Sequence, residues 1–346
     1  MNRTILAALA AVALAAPASA QCVGDLNGDG VIDGADLGVQ LSAWGPCTGC
    51  AADINGSGVV DGVDLGLLLA AWGTCPGVPA WATVVQYAPD PTVVTDPALR
   101  AAIIATGLAW RVRDTATQIE MLLVPPGTFQ MGCIMGSNLY GCSSGELPVH
   151  EVTLTYPFFL GRYEVTQSQW IKQMGYNPAF FRSWSDEVPA AEVLRRPVEQ
   201  VNWSSVQSYL SATAMRLPTE AEWEYSCRAG TPTPFYNGSV DDGSLDALAW
   251  ISQNSMNQTR PVGGRAANAL GFHDMLGNVF ELTSDWFGTY PNGAQVNPVG
   301  PTSGSWRIAR GGAFDNYSST ARASRRGVFP PSGQSIYVGF RVAKNP

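Results

Sequence analysis

The chain has 346 residues, 46% hydrophobic and 14% charged, enough for more than one domain and a sizeable core. Its 37 glycines favour turns over long helices, and its net charge is -8 with only two lysines, Lys172 and Lys344. No Lys/Arg run occurs, which argues against a nucleic-acid-binding or anionic-membrane surface.

Residues 1–20 read as a signal peptide. A basic start (Met1-Asn-Arg-Thr) precedes the apolar run Ile5–Ala16 and an Ala-x-Ala cleavage site ending at Ala20. The run is too short for a membrane span, which needs about 20 residues. The mature chain is therefore expected to be secreted, periplasmic or at the cell surface, with no membrane partner. Its seven cysteines then belong to an oxidising compartment.

Residues 22–75 repeat with a period of 28: Cys22/Cys50, Asp25/Asp53, Trp44/Trp72 and Cys47/Cys75. The first copy offers Asp25, Asn27, Asp29, Val31, Asp33 and Asp36 at loop positions 1, 3, 5, 7, 9 and 12; the second offers Asp53, Asn55, Ser57, Val59, Asp61 and Asp64. Side-chain oxygens at these positions, with a backbone carbonyl at Val31 and Val59, suit calcium, as in an EF-hand. Gly30 and Gly58 stand where such a loop turns sharply. A Leu-rich helix should follow each loop. Even spacing favours Cys22–Cys47 and Cys50–Cys75 bridges, with Cys22–Cys75 and Cys47–Cys50 as the alternative. Asp at position 12, where sensor EF-hands have Glu, and the tandem arrangement resemble a type I dockerin, which implies a small all-α calcium module and a cohesin-like partner for residues 21–75.

Residues 76–115 read as a linker: a Pro-rich spacer (Pro76, Pro79, Pro89, Pro91), then a short helix over Asp96–Ala105 with Pro97 in its first turn and Gly107 as its stop. Thr166-Gln-Ser-Gln169 and Thr219-Glu-Ala-Glu222 both fit a capping box and predict two further helix starts. Cys133 and Cys142 are expected to pair.

The strings Met121-Leu-Leu-Val-Pro-Pro-Gly-Thr-Phe-Gln-Met-Gly132, Arg216-Leu-Pro-Thr-Glu-Ala-Glu-Trp-Glu-Tyr225, Gly271–Trp286, Arg310-Gly-Gly-Ala-Phe314 and Gly339-Phe-Arg-Val342 run through the rest of the chain. Together they resemble the formylglycine-generating enzyme, or sulfatase-modifying factor, family. The resemblance covers roughly residues 110–346 and implies an α+β, irregular, C-type-lectin-like domain, taken here as 116–346. It also implies a copper-dependent oxidase that converts a sulfatase cysteine to formylglycine. The two copper cysteines, however, would fall at Asn316 and Ala321, and the serine after Arg-Gly-Gly is Ala313. Copper(I) needs soft thiolates, so no catalytic residue is assigned. Many of the 11 Trp are expected in the core; Trp170, Trp203, Trp223 and Trp286 lie inside family strings.

The resemblance further implies a structural calcium held by the side chains of Asp274 and Glu281 and the carbonyls of Gly277 and Val279. Cys227 pairs in related enzymes with a cysteine at the position of Val342, so here it is expected to be a buried free thiol. Arg322, Arg325 and Arg326 are read as partners of structural carboxylates, with an anionic ligand as the alternative. Two histidines, His150 and His273, are too few for a zinc or non-haem iron centre. The resulting expectation is a secreted, calcium-binding, non-catalytic protein with a peptide or glycan ligand and a binding or scaffolding role. The alternative is a sulfatase-maturation enzyme or accessory factor that uses a non-standard site.

Overall fold

A computed structural model describes residues 22–134 and 140–346; the expected signal peptide lies outside the described residues. The chain divides into two compact units, one ending at Cys75 and one running from Pro76 to Pro346.

In the first unit each repeat makes a loop, a two-residue strand and a helix: β1 (Val31–Ile32), α1 (Gly34–Ser42) and β2 (Gly45–Pro46), then β3 (Val59–Val60), α2 (Gly62–Ala70) and β4 (Gly73–Thr74). Asp33 and Asp61 cap the helices, and Asp36 and Asp64 complete the capping boxes. The unit is not all-α, because two antiparallel ladders tie the repeats together: β1 with β4 and β2 with β3. Those ladders also overturn the within-repeat disulfides. Val31 lies opposite Thr74, and Cys75 N–H donates to Gly30 O at 3.0 Å. This register brings the two ends of the unit together, so Cys22 bonds Cys75 and Cys47 bonds Cys50.

In the second unit the stretch read as a linker is part of the sheet. β5 (Ala82–Gln86), α3 (Pro97–Ala105) and β6 (Arg111–Asp114) lead into β7 (Glu120–Val124), β8 (Gly127–Met131), β9 (His150–Leu154) and β10 (Phe158–Gly161). α4 (Gln167–Met174), α5 (Trp203–Thr213) and α6 (Glu220–Arg228) follow. The chain finishes with β11 (Phe280–Trp286), β12 (Gln295–Val296), β13 (Arg307–Arg310), β14 (Gly327–Phe329), β15 (Val338–Phe340) and β16 (Ala343–Lys344). Three sheets result, in the orders β16-β10-β7-β6-β5, β14-β13-β11-β15 and β12-β9-β8. Trp81, Val84 and Tyr87 of the supposed spacer pack on the core, which explains why prolines flank β5 without unravelling it.

Both capping boxes form, at Thr166 with Gln169 and at Thr219 with Glu222. Trp170 stacks on Tyr209 with ring centres 5.3 Å apart, and both meet Phe340 edge-on. Trp170 and Trp223 are fully buried. Trp203 and Trp286 are only half-buried and hold the Arg307 guanidinium, 3.6 and 3.5 Å from their ring centres. Cys133 bonds Cys142, and Cys227 is free and buried.

Candidate functional site

The turn after β13 is built by two glycines and one arginine. Gly311 and Gly312 have φ of 93° and 82°, a region that favours glycine. Space demands glycine as well: a Cβ on Gly312 would sit 3.1 Å from Ala321 Cα, and one on Gly311 2.9 Å from the Met275 carbonyl. Arg310, fully buried, anchors the start of the turn on Glu220 and Glu224 of α6, with its guanidinium above the Trp223 ring. The Gly277-Asn278 turn clamps the other side. Gly277 N–H donates to Gly311 O, and Phe314 N–H donates to Asn278 O, both at 2.9 Å. Asn278 is itself fixed by donating from Nδ2 to Glu164 at 2.6 Å.

Asn316 and Ala321 are both occupied in shaping this turn. The Asn316 amide oxygen accepts Ala313 N–H at 3.0 Å, its Nδ2 donates to Asp315, and its carbonyl accepts Ser252 N–H. Ala321 is fully buried against Gly312. An amide oxygen and a methyl group are the wrong donors for copper(I). The Cys227 thiol does not substitute, since burial pushes its pKa up and keeps it protonated.

Two loops flank the turn and, with it, present apolar side chains outward. Phe180, Trp184, Met256 and Tyr317 are 64, 68, 67 and 67% exposed. Phe180, Phe181, Phe314 and Tyr337 form a chain of ring contacts with centres 5.1 to 5.3 Å apart, linking the surface to the turn. Hydrogen bonds hold the loops together: Ser185 Oγ to Gln258 at 3.3 Å, Gln258 Nε2 to Glu187 at 2.9 Å and Ser255 Oγ to the Phe314 carbonyl at 2.7 Å. Beneath Phe181 lies Glu199, whose Oε1 accepts Phe181 N–H at 2.9 Å. Its Oε2 is buried without a hydrogen-bond partner. Burial raises the Glu199 pKa to about 7, against the pull of the Phe181 and Phe180 amides and of Arg196. Sequence reasoning missed these features. The run Phe180-Phe181-Arg182-Ser183-Trp184 in a polar, Pro-flanked loop was the available signal.

At the expected calcium set, Asp274, Gly277, Val279 and Glu281, the two carboxylates have protein partners. Glu281 is held by Arg341 at 2.6 Å and by Trp223 Nε1 at 2.7 Å, so both its oxygens already have buried donors. Asp274 Oδ2 accepts Gly263 N–H at 2.6 Å, and Oδ1 is buried without a partner. Burial lifts Asp274 to about 6 and Glu164 well above its ordinary value.

In the first unit Asp25 accepts the Gly28, Asp29 and Gly30 amides, and Asp36 accepts those of Leu26, Asn27 and Asp33. Asp53 and Asp64 repeat the pattern with Ser57, Gly58, Asn55 and Asp61. Each loop is thus wrapped around inward carboxylates. Asn27, Asp29 and Asp33, like Asn55 and Asp61, cap local amides two residues on, and the Ser57 hydroxyl donates to the Val59 carbonyl at 3.0 Å. Among the described residues no three His, Cys, Asp or Glu side chains converge on one point as a metal centre. No described helix is long and apolar enough to cross a membrane.

The profile of the sulfatase-modifying factor enzyme 1-like domain family matches residues 108–346, and the chain belongs to that family. The formylglycine-generating enzyme of Bos taurus is 33% identical over 281 residues, covering 65% of this chain and 74% of the enzyme. A chaperone protein, LppX of Paenibacillus barcinonensis, is 28% identical over 290 residues, covering 67% of this chain and 91% of the chaperone. PvdO from Pseudomonas aeruginosa superposes with a TM-score of 0.58 at 28% identity, over 68% of this chain and 98% of its own. The second unit therefore has the α+β, C-type-lectin-like fold of the formylglycine-generating enzymes.

Proposed function

We propose that this chain is an exported, calcium-dependent binding protein whose formylglycine-generating-enzyme-like domain engages an extended peptide or glycan without oxidising it. The observation that carries the reading is the turn at 310–321. Its geometry is kept by Arg310, Gly311, Gly312 and Asn278, while Asn316 and Ala321 offer no soft ligand. The exposed ring surface around that turn is what a ligand would meet; large aromatic side chains gain most when a partner covers them.

The N-terminal unit supports the other half of the reading. Seven Asp and no Lys or Arg share a small volume, and the inward oxygens suit a hard cation. Val39, Leu41 and Trp44 of the first repeat, and Leu67, Leu69 and Trp72 of the second, are exposed. This matched pair of apolar sets favours a cohesin-like protein partner. Export is favoured by the signal-like N-terminus and three disulfides.

Two assays test the proposal. Incubation with copper(I) and a cysteine-containing sulfatase-motif peptide should yield no aldehyde by mass spectrometry; turnover would overturn it. On peptide and glycan arrays the purified protein should mark a discrete set of ligands. Phe180→Ala with Trp184→Ala should lower that binding at least tenfold with the fold intact. Unchanged binding by the double variant would displace the ligand from this surface.

A further inference from the structure

A second feature sits just past the turn, on the segment Ser319–Arg326, and its charges do not balance. Glu146, fully buried, is already satisfied: Arg322 grips it with both terminal nitrogens at 3.0 Å, and Ser324 Oγ donates to it at 2.8 Å. Arg326 is likewise spent, on Glu220 at 2.7 and 2.9 Å and on the Gly145 and Gly288 carbonyls at 2.8 Å. Arg325 is the remaining cation. Its contact with Glu146 is 3.4 Å, longer than a normal N–H···O bond, and its side chain is 38% exposed. One carboxylate thus faces two guanidiniums, leaving a local positive excess on a chain of net charge -8.

Arg325 lines two clefts of about 460 and 330 Å³. Ser143 and Arg325 line both; Ser144 lines the larger, and Ser319 and Thr320 line the smaller. The four hydroxyls have no hydrogen-bond partner among the described residues, and Ser143, although at a helix start, does not cap it. Phe287 and Val328 give the larger cleft an apolar wall. A planar, permanently charged fork that shares its clefts with hydroxyl donors is the chemistry that binds oxyanions.

We infer that Arg325, with Ser143, Ser144, Ser319 and Thr320, forms a binding site for a sulfate or phosphate monoester, the oxyanion on the guanidinium and the organic body against Phe287 and Val328. The site does not depend on the ligand proposed for the ring surface. It gives Arg325 the anion-binding role that Arg322 and Arg326 do not have.

Calorimetry on the full chain at low salt tests this with glucose 6-sulfate, glucose 6-phosphate, inorganic sulfate, inorganic phosphate and glucose. Both sugar esters should bind, glucose should not, and Arg325→Gln should weaken the esters at least tenfold. Ser319→Ala with Thr320→Val should weaken them several-fold. Arg195→Gln, a control on an exposed arginine elsewhere, should change nothing. Circular dichroism and thermal unfolding of each variant confirm that the fold is kept. Inorganic ions binding as tightly as the esters would place the oxyanion here but remove the organic body from the site. Equal ester binding by wild type and Arg325→Gln, or no ester binding by wild type, would overturn the inference.

Discussion

Glu199 shows what one buried carboxyl does to the pH response of the domain. Its folded pKa, about 7, lies above the ordinary 4.5, so the folded state holds a proton that the unfolded chain has lost. Stability is then fully present below pH 4.5 and falls as pH rises towards 7, by at most about 1.4 kcal/mol per pH unit for one proton. Asp285, raised by burial and by Glu220 to about 7, adds to the same trend. Glu199→Gln keeps the acceptor for Phe181 N–H and removes the titration. Urea unfolding between pH 5 and 8 should show a shallower fall for this variant than for the wild type. Parallel slopes would mean that Glu199 is charged in the fold. None of this was legible in the sequence, where Glu199 is one acidic residue among 28. Its environment comes from loops far apart in the chain.

The elements divide into those written locally and those imposed by tertiary register. Helices α4 and α6 were legible because a Thr and a Gln or Glu three residues on supply acceptors for two otherwise unpaired backbone N–H groups at the helix start. At α6 the box does more than cap. Glu222 accepts Thr219 N–H at 2.8 Å and also takes both ends of the Arg216 guanidinium, at 2.6 and 2.8 Å. Thr219→Ala should cost about 1 kcal/mol, whereas Glu222→Ala, which removes the box acceptor together with the carboxylate of Arg216 and leaves that guanidinium to Asn345 and the Leu217 carbonyl, should cost about 2 kcal/mol. Urea midpoints with an unchanged m-value read the difference, and equal losses would show that the cap alone matters. The strands were less legible, since many run only two to five residues and are fixed by their neighbours. β5 hid in a Pro-rich stretch for that reason. The expected Cys133–Cys142 bridge forms, but the two bridges of the first unit were misassigned on the same ground, because equal spacing within repeats carries no information about the β1–β4 pairing that brings Cys22 to Cys75.

At the scale of the molecule, the two units face opposite energetic problems. The second buries a large aromatic core and closes the buried Arg310, Arg322 and Arg341 on carboxylates. The first is about 54 residues (Cys22–Cys75), exposes much of its apolar surface and concentrates negative charge. A unit of that size buries too little to offset mutual repulsion, so its helices should form fully only with calcium. Circular dichroism of the isolated unit in chelator and in millimolar calcium would read this, and full helix in chelator would refute it. The family of the second unit was legible from Arg310-Gly-Gly and its companions because those strings encode backbone turns that few other sequences can make. The exposed rings around the turn were not, because exposure is a property of the folded loops.

The Cys22–Cys75 bridge gives the first unit a mechanical character. A pull applied at its two ends passes through one covalent bond and leaves the loops and helices between them unloaded. The unit would neither lengthen nor unravel under tension while the bridge is intact, whatever its calcium content. Reduction would release the 53-residue span it closes, an extension on the order of 180 Å. A single-molecule stretching trace should gain that step only in reductant, so the unit is a link of fixed length in an oxidising medium and a spring in a reducing one.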